Sequence, residues 1–206
     1  MLKFAVMASG GGTDFQSLID AVKAGQIDAE ICCLIASKPD IYAVERAKKA
    51  GIPVEIVQKK FFGSVEAFDQ AILATLKRYL ADFVVLAGYL NIVGPQTISA
   101  YENKIINIHP ALIPSFCGMG MYGSHVHEAV IAYGAKYSGA TVHFVNEEAD
   151  AGPIILQEVV PVLEDDTPED LAARVLKTEH QLLPRAVALM AGGKLRVEGR
   201  IVKILE

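Results

Sequence analysis

From residue 1 to about residue 109 the chain alternates short apolar runs with helical segments, and that rhythm leaves few folds open to it. Residues 2–8 are apolar almost throughout, then SGGG leads into TDFQSLIDAVKAG, where Phe15, Leu18, Ile19 and Val22 recur at helical spacing. The pattern repeats in EICCLIAS, a strand in which the neighbours Cys32 and Cys33 are expected on opposite faces. Asp40 is placed to cap IYAVERAKKA, and Gly51 to stop it in a left-handed turn. PVEIV is a short strand, Ser64 opens a helix carrying Phe68, Ile72, Leu76 and Leu80, and DFVVLAG is apolar on both faces. Pro95 starts a short helix and NKIINIH is a fifth strand. Strands buried on both sides and separated by helices predict a mostly parallel sheet covered on both faces.

Beyond His109 the rhythm breaks at PALIPSFCGMGMYGS, whose prolines and glycines exclude regular structure; long loops of this kind are usually functional. Residues 124–133 read as a helix, SGATVHFVN and PIILQEVVPV as two strands, and Thr167-Pro168 as the start of a long helix that Pro184 should kink or divide. KLRVEGRIVKIL reads as a hairpin turning at Glu198 and Gly199. With no repeat or linker, residues 1–206 are expected to form one domain.

Charge and composition narrow the function. A net charge of -5 offers no footprint for nucleic acid, and the apolar stretch around residues 83–93 is far too short to span a membrane. MLKFAVMASGGG reads as a first strand rather than a signal peptide, so the expected location is the cytoplasm. Three cysteines with no C-x-x-C spacing suggest a reducing compartment and no disulfide framework.

Chemistry concentrates at three places. SGGGTDFQ joins a glycine turn to a helix start, which suits a phosphate; Thr13 and Gln16 equally have capping-box spacing, so a plainly capped helix is the alternative. The turn is a poor dinucleotide fingerprint, because Phe15 stands where a third small residue is needed, and no nucleoside-triphosphate loop occurs. In N-I-H-P the period of a strand puts Asn107 and His109 on one face, at the carboxyl edge where open α/β sheets bind ligands; a structural histidine is the alternative. Asp150, in NEEADAGP, is either a turn residue or a carboxylate that raises a nearby imidazole pKa. His125 and His127 should point apart on a helix, which disfavours a metal; Cys117 lacks an activating signature, and His143 reads as structural.

With SGGGTDFQ, AGYL, N-I-H-P-A-L-I-P, GATVHFV and a distant D-A-G-P-I-I-L-Q, the chain resembles the phosphoribosylglycinamide formyltransferase family over essentially its whole length. The resemblance implies a Rossmann-like fold, with a mostly parallel central sheet flanked by helices and antiparallel strands in the C-terminal half. It implies formyl transfer from 10-formyltetrahydrofolate to the amine of glycinamide ribonucleotide in purine synthesis, without a metal, in a monomer or homodimer that binds only small molecules. Residue by residue it implies His109, Asn107 and Asp150 as catalytic, with Asp150 raising the pKa of His109. Gly11, Gly12, Thr13 and Asp14 fall to the phosphate turn, and Glu179 to the glycinamide substrate. Leu90, Asn91, Ile92 and Val93, with Asn107, line the folate pocket. The chain departs from the common pattern at Asp14, where Asn is usual, and at Val65 and Asn91, where some relatives carry arginine.

Overall fold

A computed structural model describes residues 1–206. Its nine strands form one sheet in the order β3-β2-β1-β4-β5-β6-β7-β9-β8. Strands β1 (Leu2–Ala8), β2 (Ala29–Ala36), β3 (Val54–Ile56), β4 (Phe83–Leu86) and β5 (Ile105–His109) pair in parallel. Strands β6 (Tyr137–Phe144) and β7 (Ile154–Pro161) continue the sheet antiparallel, and the hairpin of β8 (Leu195–Glu198) and β9 (Ile201–Ile204) closes its edge. The mostly parallel sheet with an antiparallel C-terminal part is the architecture expected.

Helices cover both faces because each strand of the parallel half is apolar on both sides. On one face α1 (Thr13–Lys23), α2 (Tyr42–Ala50), α5 (Ser124–Tyr133) and α6 (Pro168–Ala191) bury Phe15, Leu18, Ala43, Val130, Leu171 and Leu183. On the other, α3 (Val65–Arg78) and α4 (Pro95–Ala100) enclose Phe68, Ile72 and Leu76 with Val93 and Tyr101. Strand order reverses between β1 and β4, so the chain leaves these two neighbours in different directions and opens a crevice beyond their carboxyl ends.

Four local expectations are corrected. In the β1–β2 register Phe4 faces Ile31 and Ala5 faces Cys33, so Cys32 is the extra residue of a bulge. Both thiols therefore enter one core layer instead of opposite faces. The cap of α1 is Gly12 in the left-handed region, with no side-chain cap, so Thr13 and Gln16 form no capping box. Ile41, not Asp40, precedes α2, again without a side-chain cap. Pro184 divides nothing: α6 runs continuously through it, because buried Leu182, Leu183, Ala186 and Val187 hold both halves on the sheet. That packing outweighs a local cost of about 3 kcal/mol.

The segment after β4 is fixed from two directions. Ser9 N–H donates to the Gly88 carbonyl (3.0 Å) and the Ser9 hydroxyl accepts from Leu90 N–H (3.0 Å), tying it to the end of β1. At its far end the buried carboxylate of Asp69 accepts from Gln96 N–H (2.8 Å) and Thr97 N–H (3.3 Å), capping α4 from the neighbouring helix.

Candidate active site

The crevice beyond β1, β4 and β5 is a cleft of about 850 Å³. Asp14, Leu90, Asn91, Ile92, Val93, Asn107, His109, Asp150 and Glu179 all line it, although they come from five separate stretches of sequence. Gly11 and Gly12 form the turn behind Asp14, while Thr13 faces a neighbouring groove between α1 and α6.

Four polar side chains meet at the end of β5. His109 is 4% exposed; its Nε2 lies 2.8 Å from the Phe116 carbonyl, so Nε2 carries the proton, and its Nδ1 lies 3.6 Å from Asp150 Oδ2. Asp150 comes from the β6–β7 connection in a left-handed conformation (φ 53), and Gly118 N–H donates to its Oδ2 at 2.9 Å. Phe116 is also left-handed (φ 50), so two of the four non-glycine residues held in this costly region touch the cluster. Asn107 Nδ2 lies 3.2 Å from His143 Nε2 and 3.5 Å from Asp150 Oδ1. His143 Nδ1 lies 2.8 Å from the Phe144 carbonyl, which makes Nδ1 the protonated nitrogen and Nε2 an acceptor for the Asn107 amide.

His143 thus belongs to the cluster and is not a bystander. Pairing of β5 with β6 sets Asn107 opposite His143, a signal absent from either stretch alone. His127 was also missed: it is buried, lines the cleft and leaves Nδ1 without a partner. His125 points elsewhere, against the Tyr122 ring.

Burial governs the electrostatics. It pulls His109 below the ordinary histidine range despite the upward pull of Asp150, which corrects the expectation that the carboxylate raises this pKa. Burial also pushes the Asp150 carboxyl up. The His143 contact, the His109 charge and Gly118 N–H together outweigh that push, so Asp150 remains an anion well below neutral pH. At the other end of the cleft, burial pushes Asp14 up to about 6; burial and the nearby Asp14 charge push Glu179 up to about 8. The Asp14 carboxylate does not cap α1; its Oδ1 is buried without a hydrogen-bond partner, 3.8 Å from His180 Nε2.

The chain is similar to known proteins along most of its length. Residues 2–187 match the family model described as formyl transferase, and the chain belongs to that family. Among its relatives, phosphoribosylglycinamide formyltransferase of Haemophilus influenzae is 39% identical, over 98% of this chain and 92% of its own length. The chloroplastic enzyme of the same name from Vigna unguiculata is 45% identical over 90% of this chain, which spans only 59% of that longer protein. The crystal structure of glycinamide ribonucleotide transformylase 1 from Symbiobacterium toebii superimposes with a TM-score of 0.95 at 41% identity, covering 100% of this chain and 95% of that one.

Proposed function

We propose that this protein transfers the formyl group of 10-formyltetrahydrofolate to the amine of glycinamide ribonucleotide in purine synthesis. The observation that carries the reading is the convergence of Asn107, His109 and Asp150 in one cleft with Asp14, Glu179 and residues 90–93. The uncapped N-terminus of α1 and the turn before it take the phosphate of the ribonucleotide, Glu179 the rest of that substrate, and residues 90–93 the folate ring. This reading places the enzyme in the cytoplasm with two small-molecule substrates, and residues 1–206 as one catalytic domain.

In the reaction the amine nitrogen bonds to the formyl carbon and the carbonyl opens to an oxyanion. His109 Nε2–H, which here donates to the Phe116 carbonyl, donates to that oxygen instead, together with the Asn107 amide. Asp150, an anion beside Nδ1, favours the imidazolium form of His109, protonated on both nitrogens, whose charge strengthens the Nε2–H donor against the oxyanion. As a carboxylate of the cluster it is also a base able to take the amine proton, which ends on folate nitrogen as the old carbon–nitrogen bond breaks. Substrate nitrogen is the nucleophile, so binding both substrates in register supplies much of the rate. Mixing the protein with glycinamide ribonucleotide and 10-formyltetrahydrofolate, and following folate product by absorbance, tests the reading. Formylated ribonucleotide supports it; binding without turnover refutes it.

A further inference from the structure

The cleft poses an electrostatic problem. Its lining holds five carboxyls, Asp14, Glu147, Glu148, Asp150 and Glu179, and not one lysine or arginine. A phosphate monoester is close to a dianion at neutral pH, so the proposed substrate needs positive charge from outside this lining.

We infer that Arg46, on α2 and outside the cleft, is the positioning residue of the phosphate turn: it fixes the turn's amides toward the anion and supplies the cationic charge that the lining lacks. This rests on the proposed binding of a phosphorylated substrate. Arg46 Nε donates to the Gly11 carbonyl at 2.9 Å, and Ala43 N–H donates to the Gly10 carbonyl at 3.2 Å. In a trans peptide the carbonyl and the next N–H point in opposite directions. With both carbonyls drawn toward α2, the N–H groups of Gly11 and Gly12 face away from it.

Other contacts hold the guanidinium in that pose. A second nitrogen donates to Gln16 Oε1 on α1 (3.1 Å), Gln16 in turn donates to Asp20 (2.9 Å), and the guanidinium lies 4.8 Å from the centre of the Tyr42 ring. Gly12, at φ 69, sits so close to α2 that a Cβ there would approach the Ala43 Cβ to 2.7 Å. The turn and α2 are therefore one braced unit. The charge of Arg46 is felt beyond it: with burial it holds His180, the neighbour of Asp14, below the ordinary histidine range. A planar fork reaches Gly11 and Gln16 together while lying on Tyr42, which a lysine does not reproduce.

Steady-state kinetics of Arg46→Ala and Arg46→Lys test the inference, with inorganic phosphate as a competitive probe. Arg46→Ala is expected to raise KM for glycinamide ribonucleotide and weaken phosphate inhibition by about 10- to 100-fold, the scale of a charge-assisted contact. KM for formylfolate and kcat stay within about twofold, and Arg46→Lys falls between the two proteins. Unchanged ribonucleotide KM and phosphate inhibition, or an equal rise in both KM values, overturns it. Absence of turnover in the unaltered protein counts instead against the proposed reaction. Calorimetric titration of inorganic phosphate into the unaltered and Arg46→Lys proteins then decides the role of Arg46 alone: equal affinities overturn it.

Discussion

Asn107 and His143 face each other across β5 and β6 with Nδ2 and Nε2 3.2 Å apart, and through this contact the antiparallel half of the sheet orients a side chain of the parallel half. Because His143 Nδ1 is engaged by the Phe144 carbonyl, the imidazole offers a fixed acceptor that sets where the Asn107 amide points.

Replacing that acceptor misdirects the amide without removing it. His143→Phe is expected to lower kcat by about tenfold, less than direct loss of an oxyanion donor, with both KM values nearly unchanged. Circular dichroism and melting in parallel separate this from unfolding, and kcat is the deciding quantity.

Asp14 makes stability depend on pH. In the fold its carboxyl titrates near 6 rather than at the ordinary 3.8, so the folded chain holds the proton more tightly than the unfolded one. Its contribution is complete below about 3.8 and is lost as pH rises to about 6. Asp14→Asn removes that loss and is expected to stabilise the protein by ~1–2 kcal/mol at pH 7 and by little at pH 4. Denaturant titrations at the two pH values check this. The same variant should lower KM for glycinamide ribonucleotide, because an ionised carboxylate repels phosphate.

Gly94 abuts the Asp69 carboxyl group so closely that an added Cβ would collide with it. Gly94→Ala should push Asp69 away from the amides of Gln96 and Thr97, at a cost of about 2 kcal/mol or more. Residues 90–93 lead directly into this cap, so KM for formylfolate rises more than KM for the ribonucleotide. Differential scanning calorimetry and the two KM values check the pair.

Strands, helices and their order were legible because apolar periodicity survives in the sequence wherever a face is buried: Phe68, Ile72 and Leu76 do sit on one buried face, and Ser64 and Thr167 do cap their helices. What escaped depends on partners distant in sequence. The bulge at Cys32 is set by pairing with β1, the continuity of α6 at Pro184 by packing on the sheet, and the cap of α1 by the approach of α2 to Gly12. In the site, Asn107 and His109 stood out because they share a short motif at a strand end. His143 and His127 did not, since their roles arise only when β6 and α5 are folded beside β5. Asp150 was recognisable through resemblance, but the strength of burial around His109 was not, because desolvation is a property of the assembled cleft.

The central claim is that His109 and Asp150 act together on one carbonyl. Single-turnover formyl transfer by His109→Ala and Asp150→Asn, at saturating concentrations of both substrates, measures that step directly. A fall of about a hundredfold or more in each variant, with the double variant little slower than either single one, is the predicted result. Near-normal transfer by either variant would contradict it.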